Sequence, residues 1–173
     1  EASLRHSLRV AIAAEDRPTV VRYPKGSLPE AMPALRAVGG VDVLSEPDPG
    51  AVDVLVVATG ALAPSGLKAA RILEEQGIRV RVVDPLRVLP LKEGLLECAE
   101  DADLVVTVED GLVDGGFGWA LRDKCVGTRV LTLGIAKSFL EHGDRSDILA
   151  ALGLDPESIA LRVRESLGDV RAG

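Results

Sequence analysis

The sequence predicts an α/β fold of three layers, with helices covering both faces of a mostly parallel, mixed sheet of about five strands. Three observations point to it. From residue 54 onward, short β-branched runs alternate with amphipathic helical stretches, the rhythm of βαβ units. The chain is 47% apolar with only 2% aromatic residues, the palette of aliphatic strands buried between helices. Finally, Leu104, Val105, Val106 and Val108 form an apolar run that enters a turn crowded with Gly111, Gly115, Gly116 and Gly118 and then a helical stretch bearing the single Trp, Trp119.

Taken in order, Leu4, Leu8 and Ile12 recur at i, i+4, i+8 and mark a first helix with one apolar stripe. Residues 16–18 break it, and 19–23 read as a short strand closed by Pro24. Nothing before that strand supplies a sheet for it, so residues 1–26 read as the tail of a preceding domain. Residues 27–50 are rich in Pro and Gly, the chemistry of a stiffened linker, within which residues 41–44 could add an edge strand.

The main domain is expected over residues 51–168, followed by a tail over 169–173. Its strands are read at 54–58, 78–83, 104–108 and 130–133, with Glu109 and Asp110 ending the third. Its first helix covers 64–76, with Leu67, Ala70 and Leu73 inward and Gly77 just past its end. A short helix is centred on Leu95, Leu96 and Ala99, and residues 119–126 form the next. Asp144 or Ser146 caps a helix with Ile148, Leu149 and Leu152 inward; Asp155 caps the last, with Pro156 at its first position and Ile159, Val163 and Leu167 on one face.

Composition excludes several function classes. With 20 Lys+Arg against 27 Asp+Glu the net charge is −7, which favours no nucleic-acid partner. No stretch approaches a membrane span and no signal-peptide pattern is present, so a cytoplasmic location is expected. Cys98, Cys125, His6 and His142 lack metal-site spacing and read as ordinary residues.

The glycine-rich turn could hold a phosphate at a helix N-terminus, but Glu109, Asp110 and Asp114 crowd it and no nucleotide fingerprint is present; tight packing is the better reading. Asp84, before Pro85, is a candidate acid or simply a turn residue. Glu141-His142-Gly143-Asp144 is a second polar group that also suits a helix-entry turn. Arg22, beside Lys25-Gly26, is the best candidate for binding an anion, since a guanidinium offers a fork to phosphate; taken alone, however, an arginine on a surface strand is the better reading.

Four segments extend the reading: RYPKG at 22–26, VVDPLRVLPL at 82–91, VTVEDGLVDGGFGWAL at 106–121 and LGIAKSFLEHGDRSDILAALGLD at 133–155. In order and spacing they resemble the closing third of the 1-deoxy-D-xylulose-5-phosphate synthase family, from the end of the pyrimidine-binding domain through the transketolase C-terminal domain. The resemblance implies a homodimeric transferase that uses thiamine diphosphate and Mg2+ to condense pyruvate with glyceraldehyde 3-phosphate, releasing CO2 in isoprenoid precursor synthesis. It implies that Arg22 binds the acceptor's phosphate, with Lys25 as a second candidate. The family's metal-binding motif, activating glutamate and cofactor-facing histidines would lie N-terminal to Glu1, so this chain by itself is expected to bind no cofactor and to be inactive, its partner being the missing N-terminal part. The chain departs from the family pattern at Trp119, where small residues are usual, at Ala136, where proline is usual, and in DPLRVLPL against DPRWVKPL; these changes allow a diverged paralogue. Two other readings stand beside it: a non-catalytic assembly module of transketolase C-terminal type, and the β subunit of a two-chain 2-oxoacid dehydrogenase.

Overall fold

The computed structural model describes residues 2–21, 23, 31–48 and 51–172, in two compact units, Glu1–Pro33 and Ala34–Gly173. The first holds helix α1 (Ala2–Ile12), as the leucine spacing predicts. Among the described residues no strand forms where one is expected at 19–23: residues 19–21 and 23 belong to no sheet, and Arg22 lies outside the described residues. A strand exists only through a neighbour's backbone, and among the described residues of this unit none is supplied. Thr19 instead turns inward on its own helix, its hydroxyl donating to the Ala11 carbonyl at 3.2 Å.

In the second unit the chain runs β1 (Arg36–Val38), β2 (Val41–Ser45), β3 (Val52–Ala58), α2 (Ala63–Glu74), β4 (Val80–Asp84), α3 (Glu93–Glu100), β5 (Ala102–Leu112), α4 (Phe117–Lys124), β6 (Arg129–Ile135), α5 (Arg145–Ala151) and α6 (Pro156–Ala172), with a 3-10 turn at Gly60–Leu62. The six strands form one sheet in the order β1-β2-β4-β3-β5-β6. β4, β3, β5 and β6 are parallel; β2 joins β4 antiparallel and β1 closes a hairpin on β2. The hairpin turns through Gly39 (φ 50°) and Gly40 (φ 84°), two successive left-handed residues that match the twist of a two-residue hairpin loop. The sixth strand, β1, has only three residues, too few for an alternation to be read from sequence.

β3 lies at the centre and is buried along its whole length, which is why it is a nearly unbroken aliphatic run. One face, with Leu55, Val57, Val83 and Val105, packs on Leu95, Cys98 and Ala99 of α3 and on Phe117 and Leu121 of α4. The other is covered by α2, whose Gly66 comes down on Val56, Ala58 and Val82, and by α6, which packs beside α2. Ile159, Val163 and Leu167 of α6 are buried, as their spacing predicts, and Asp155 caps the helix by accepting from the Ser158 amide at 3.0 Å. At the opposite, amino end of β3 sits a charge the periodicity does not reveal. The buried Asp53 carboxylate accepts from the backbone N–H of Arg79 (2.7 Å), from Nε (3.1 Å) and Nη2 (2.7 Å) of the same residue, and from Nη2 of Arg171 (2.7 Å) in α6. Those donors hold its pKa below the ordinary carboxylate range, the Arg79 side-chain hydrogen bonds first among them.

Candidate functional site

Parallel strands present their carboxyl ends together, and ligands of open α/β sheets collect there. In this chain that edge carries Thr59 and Gly60 after β3, Asp84 after β4, the Glu109–Gly118 segment of β5 and α4, and Gly134–Ala136 around the end of β6.

Glu109 is the organising side chain. It does not end the strand, as a carboxylate after an apolar run suggests; β5 shifts register after Val108 and continues to Leu112, which pairs with Ile135. The carboxylate folds back over the glycine-rich turn and accepts from the amides of Phe117 (3.2 Å) and Gly118 (2.9 Å), the unpaired donors at the start of α4. Gly116 has no room for a side chain: a Cβ there would meet the Leu112 carbonyl and stand 2.8 Å from Glu109 Oε1. Gly118 is equally constrained, its Cβ position falling on Thr107 Oγ1 and 2.8 Å from Thr132 Cγ2. The turn is glycine-rich because helix, strand and internal carboxylate close on one another.

That geometry also tests the cofactor implied by the resemblance. A diphosphate at this helix start would compete with Glu109 for the same amides, and among the described residues no group of three His, Cys, Asp or Glu side chains could hold a metal ion. Thiamine diphosphate and Mg2+ do not fit this turn.

Asp110 points away from the turn and pairs with Arg145 at 2.9 Å, tying β5 to the start of α5. The pair borders an open depression of about 260 Å³ lined by Ile135, Gly143, Ile148, Leu149 and Leu152. Asp84 behaves as a turn residue, its Oδ1 accepting from the Leu86 amide at 2.9 Å and holding Leu86 at φ 56°. Burial pushes its carboxyl pKa up, and Asp42, its cross-strand neighbour on β2, pushes the same way. Glu141, His142 and Asp144 are exposed and make no side-chain hydrogen bonds among the described residues; Asp144 occupies the N-cap position of α5 without capping it. Cys98 and Cys125 are free thiols whose pKa values burial raises. The structure thus brings Glu109, Asp110 and Arg145 to one edge but leaves Asp84 and His142 apart from any catalytic pairing. Arg22 and Lys25, the anion-binding candidates, lie outside the described residues. No helix among the described residues is long and apolar enough to cross a membrane.

Comparison with known proteins adds what geometry does not. The family described as transketolase, C-terminal domain matches residues 45–159. The chain is 44% identical over 168 residues to the 1-deoxy-D-xylulose-5-phosphate synthase of Saccharopolyspora erythraea and 46% identical over 172 residues to that of Parafrankia sp., covering 94% and 96% of this chain and 26% of each relative. It therefore spans about a quarter of the length of these relatives. Among solved structures, a split-gene transketolase captured as an inactive β4 tetramer superposes with a TM-score of 0.66 at 31% identity, over 77% of this chain and 44% of that one. The chain belongs to the transketolase C-terminal domain family, and its sequence relatives there are 1-deoxy-D-xylulose-5-phosphate synthases.

Proposed function

We propose that this chain is the closing portion of a thiamine-diphosphate-dependent transferase that joins pyruvate to glyceraldehyde 3-phosphate with loss of CO2. The observation that carries this reading is the 44% identity to a synthase across 94% of the chain. Thiamine diphosphate and Mg2+ would be held by the rest of the enzyme, a homodimer in the cytoplasm, and this portion would contribute structure, an interface and the acceptor-phosphate contact. That contact is assigned to Arg22, with Lys25 beside it, because a guanidinium can grip a phosphate through two parallel hydrogen bonds.

The test is Arg22→Ala in the complete enzyme. A charge-assisted contact of this kind contributes roughly 1.5–3 kcal/mol. The variant should therefore lower kcat/KM for glyceraldehyde 3-phosphate by about tenfold to a hundredfold, with the pyruvate half-reaction nearly unchanged. Equal loss with unphosphorylated glyceraldehyde would refute the phosphate role. For the isolated chain, calorimetric titration with thiamine diphosphate and Mg2+ should give no saturable heat. A second reading, one polypeptide of a split enzyme, is favoured by the split-gene transketolase among the solved neighbours. A separately encoded N-terminal polypeptide co-purifying with the chain would decide for it.

A further inference from the structure

Residues 136–144, between β6 and α5, are exposed without interruption and contain no helix or strand. They carry two adjacent large apolar side chains, Phe139, fully exposed, and Leu140, 42% exposed. The neighbouring depression has an apolar floor of Ile135, Ile148, Leu149 and Leu152, yet the Phe139 ring stands in solvent instead of filling it. α5 buries none of its residues fully. An aromatic side chain displayed beside an apolar hollow marks a surface made to be covered.

Two occupants compete. In an isologous contact with a second copy, this patch would face itself, and the segment with the first turn of α5 holds Glu141, Asp144 and Asp147 against Lys137 and an Arg145 already engaged by Asp110; like charges would meet. The alternative is the polypeptide that the synthase relatives carry beyond the matched stretch, some three quarters of their length. We propose that Phe139 and Leu140 are the anchors by which this domain docks onto the remainder of the synthase, in an apolar pocket whose rim is cationic. This rests on the reading of the chain as a portion of such an enzyme.

The experiment expresses the part of the Saccharopolyspora erythraea synthase outside the matched stretch as a separate polypeptide and measures its binding to this chain by interferometry. Phe139→Ser/Leu140→Ser should weaken binding about tenfold or more, the effect of truncating an aromatic anchor. Both side chains are exposed, so its melting temperature should match wild type. Val126→Ser, changing a 93% exposed apolar residue elsewhere, should bind like wild type. Unchanged binding by the double variant would overturn the docking surface while leaving the synthase reading intact. No binding by the wild-type chain to a partner polypeptide that melts cooperatively would overturn the docking surface, whereas the synthase reading is decided by the Arg22→Ala kinetics. Concentration-dependent self-association in sedimentation that the double variant abolishes would name a second copy as occupant and overturn the proposal.

Discussion

Replacing Asp53 by Asn keeps the shape of the side chain at the head of β3 and removes its charge. Asp53 is 4% exposed, and both its oxygens are engaged by Arg79 and Arg171, whose side chains are 49% and 53% exposed. Breaking a fully buried ion pair costs about 3–5 kcal/mol because a charge is stranded. Here the arginines remain half in water, so the loss reduces to that of charge-assisted hydrogen bonds, about 1.5–3 kcal/mol. At about 2–4 °C per kcal/mol for a chain of this size, Asp53→Asn should melt roughly 3–12 °C lower at pH 7. The pH dependence follows from the depressed pKa of the carboxyl. Its stabilisation is complete above the unfolded value near 3.9 and disappears as pH falls through the lower folded value. Thermal melts of wild type and variant by circular dichroism should therefore differ by a constant amount from pH 7 to 5, and the gap should begin to narrow near pH 4 and close only below the lower folded value. A difference that does not narrow as pH falls below about 4, or a loss that simply adds to that of Arg171→Ala, would refute the claim that charge pairing holds the β3–α6 contact.

Glu109→Ala should cost about 2 kcal/mol, since it leaves two amides at the start of α4 without partners, and urea titration would measure it. Thr107→Val should be stabilising by up to about 1 kcal/mol, because the Thr107 hydroxyl is buried with no hydrogen-bond partner among the described residues; the same titration applies. Leu86→Asn should raise stability by about 0.5–1 kcal/mol, relieving a left-handed leucine at a half-exposed site, visible as a higher melting temperature.

What the sequence disclosed and what it hid divide along the range of the interaction. The α6 start could be read because its signal is local: Asp155, Pro156 and the Ser158 amide lie within four residues. The parallel core could be read because β3 and β5 are buried on both faces and so are aliphatic almost throughout. Glu109 was legible as a carboxylate but not as a cap, since its partners, Phe117 and Gly118, become neighbours only once the turn has closed. Asp53 reads as a blemish in an apolar run; its meaning depends on Arg171, 118 residues away. Arg22 could be read from the residues alone only as a candidate for binding an anion, and its proposed phosphate role came from the family resemblance, because a single arginine has no local signature of a particular ligand.

The strand order has a bearing on how the chain assembles. β2 is complete at Ser45, yet its sheet neighbour is β4, which ends at Asp84, and the far side of β3 stays open until β5 has been made. On a ribosome producing about 5–20 residues per second, the hairpin and then the half-built β3–α2–β4 unit would each wait seconds with aliphatic edges unpaired. Slow, long-range pairing of this kind exposes nascent chains to misassociation. A stalled nascent chain long enough to expose β4 but not β5 should bind a holdase chaperone, and one extended past Lys124 should release it, unless the centre of the sheet closes by some other order.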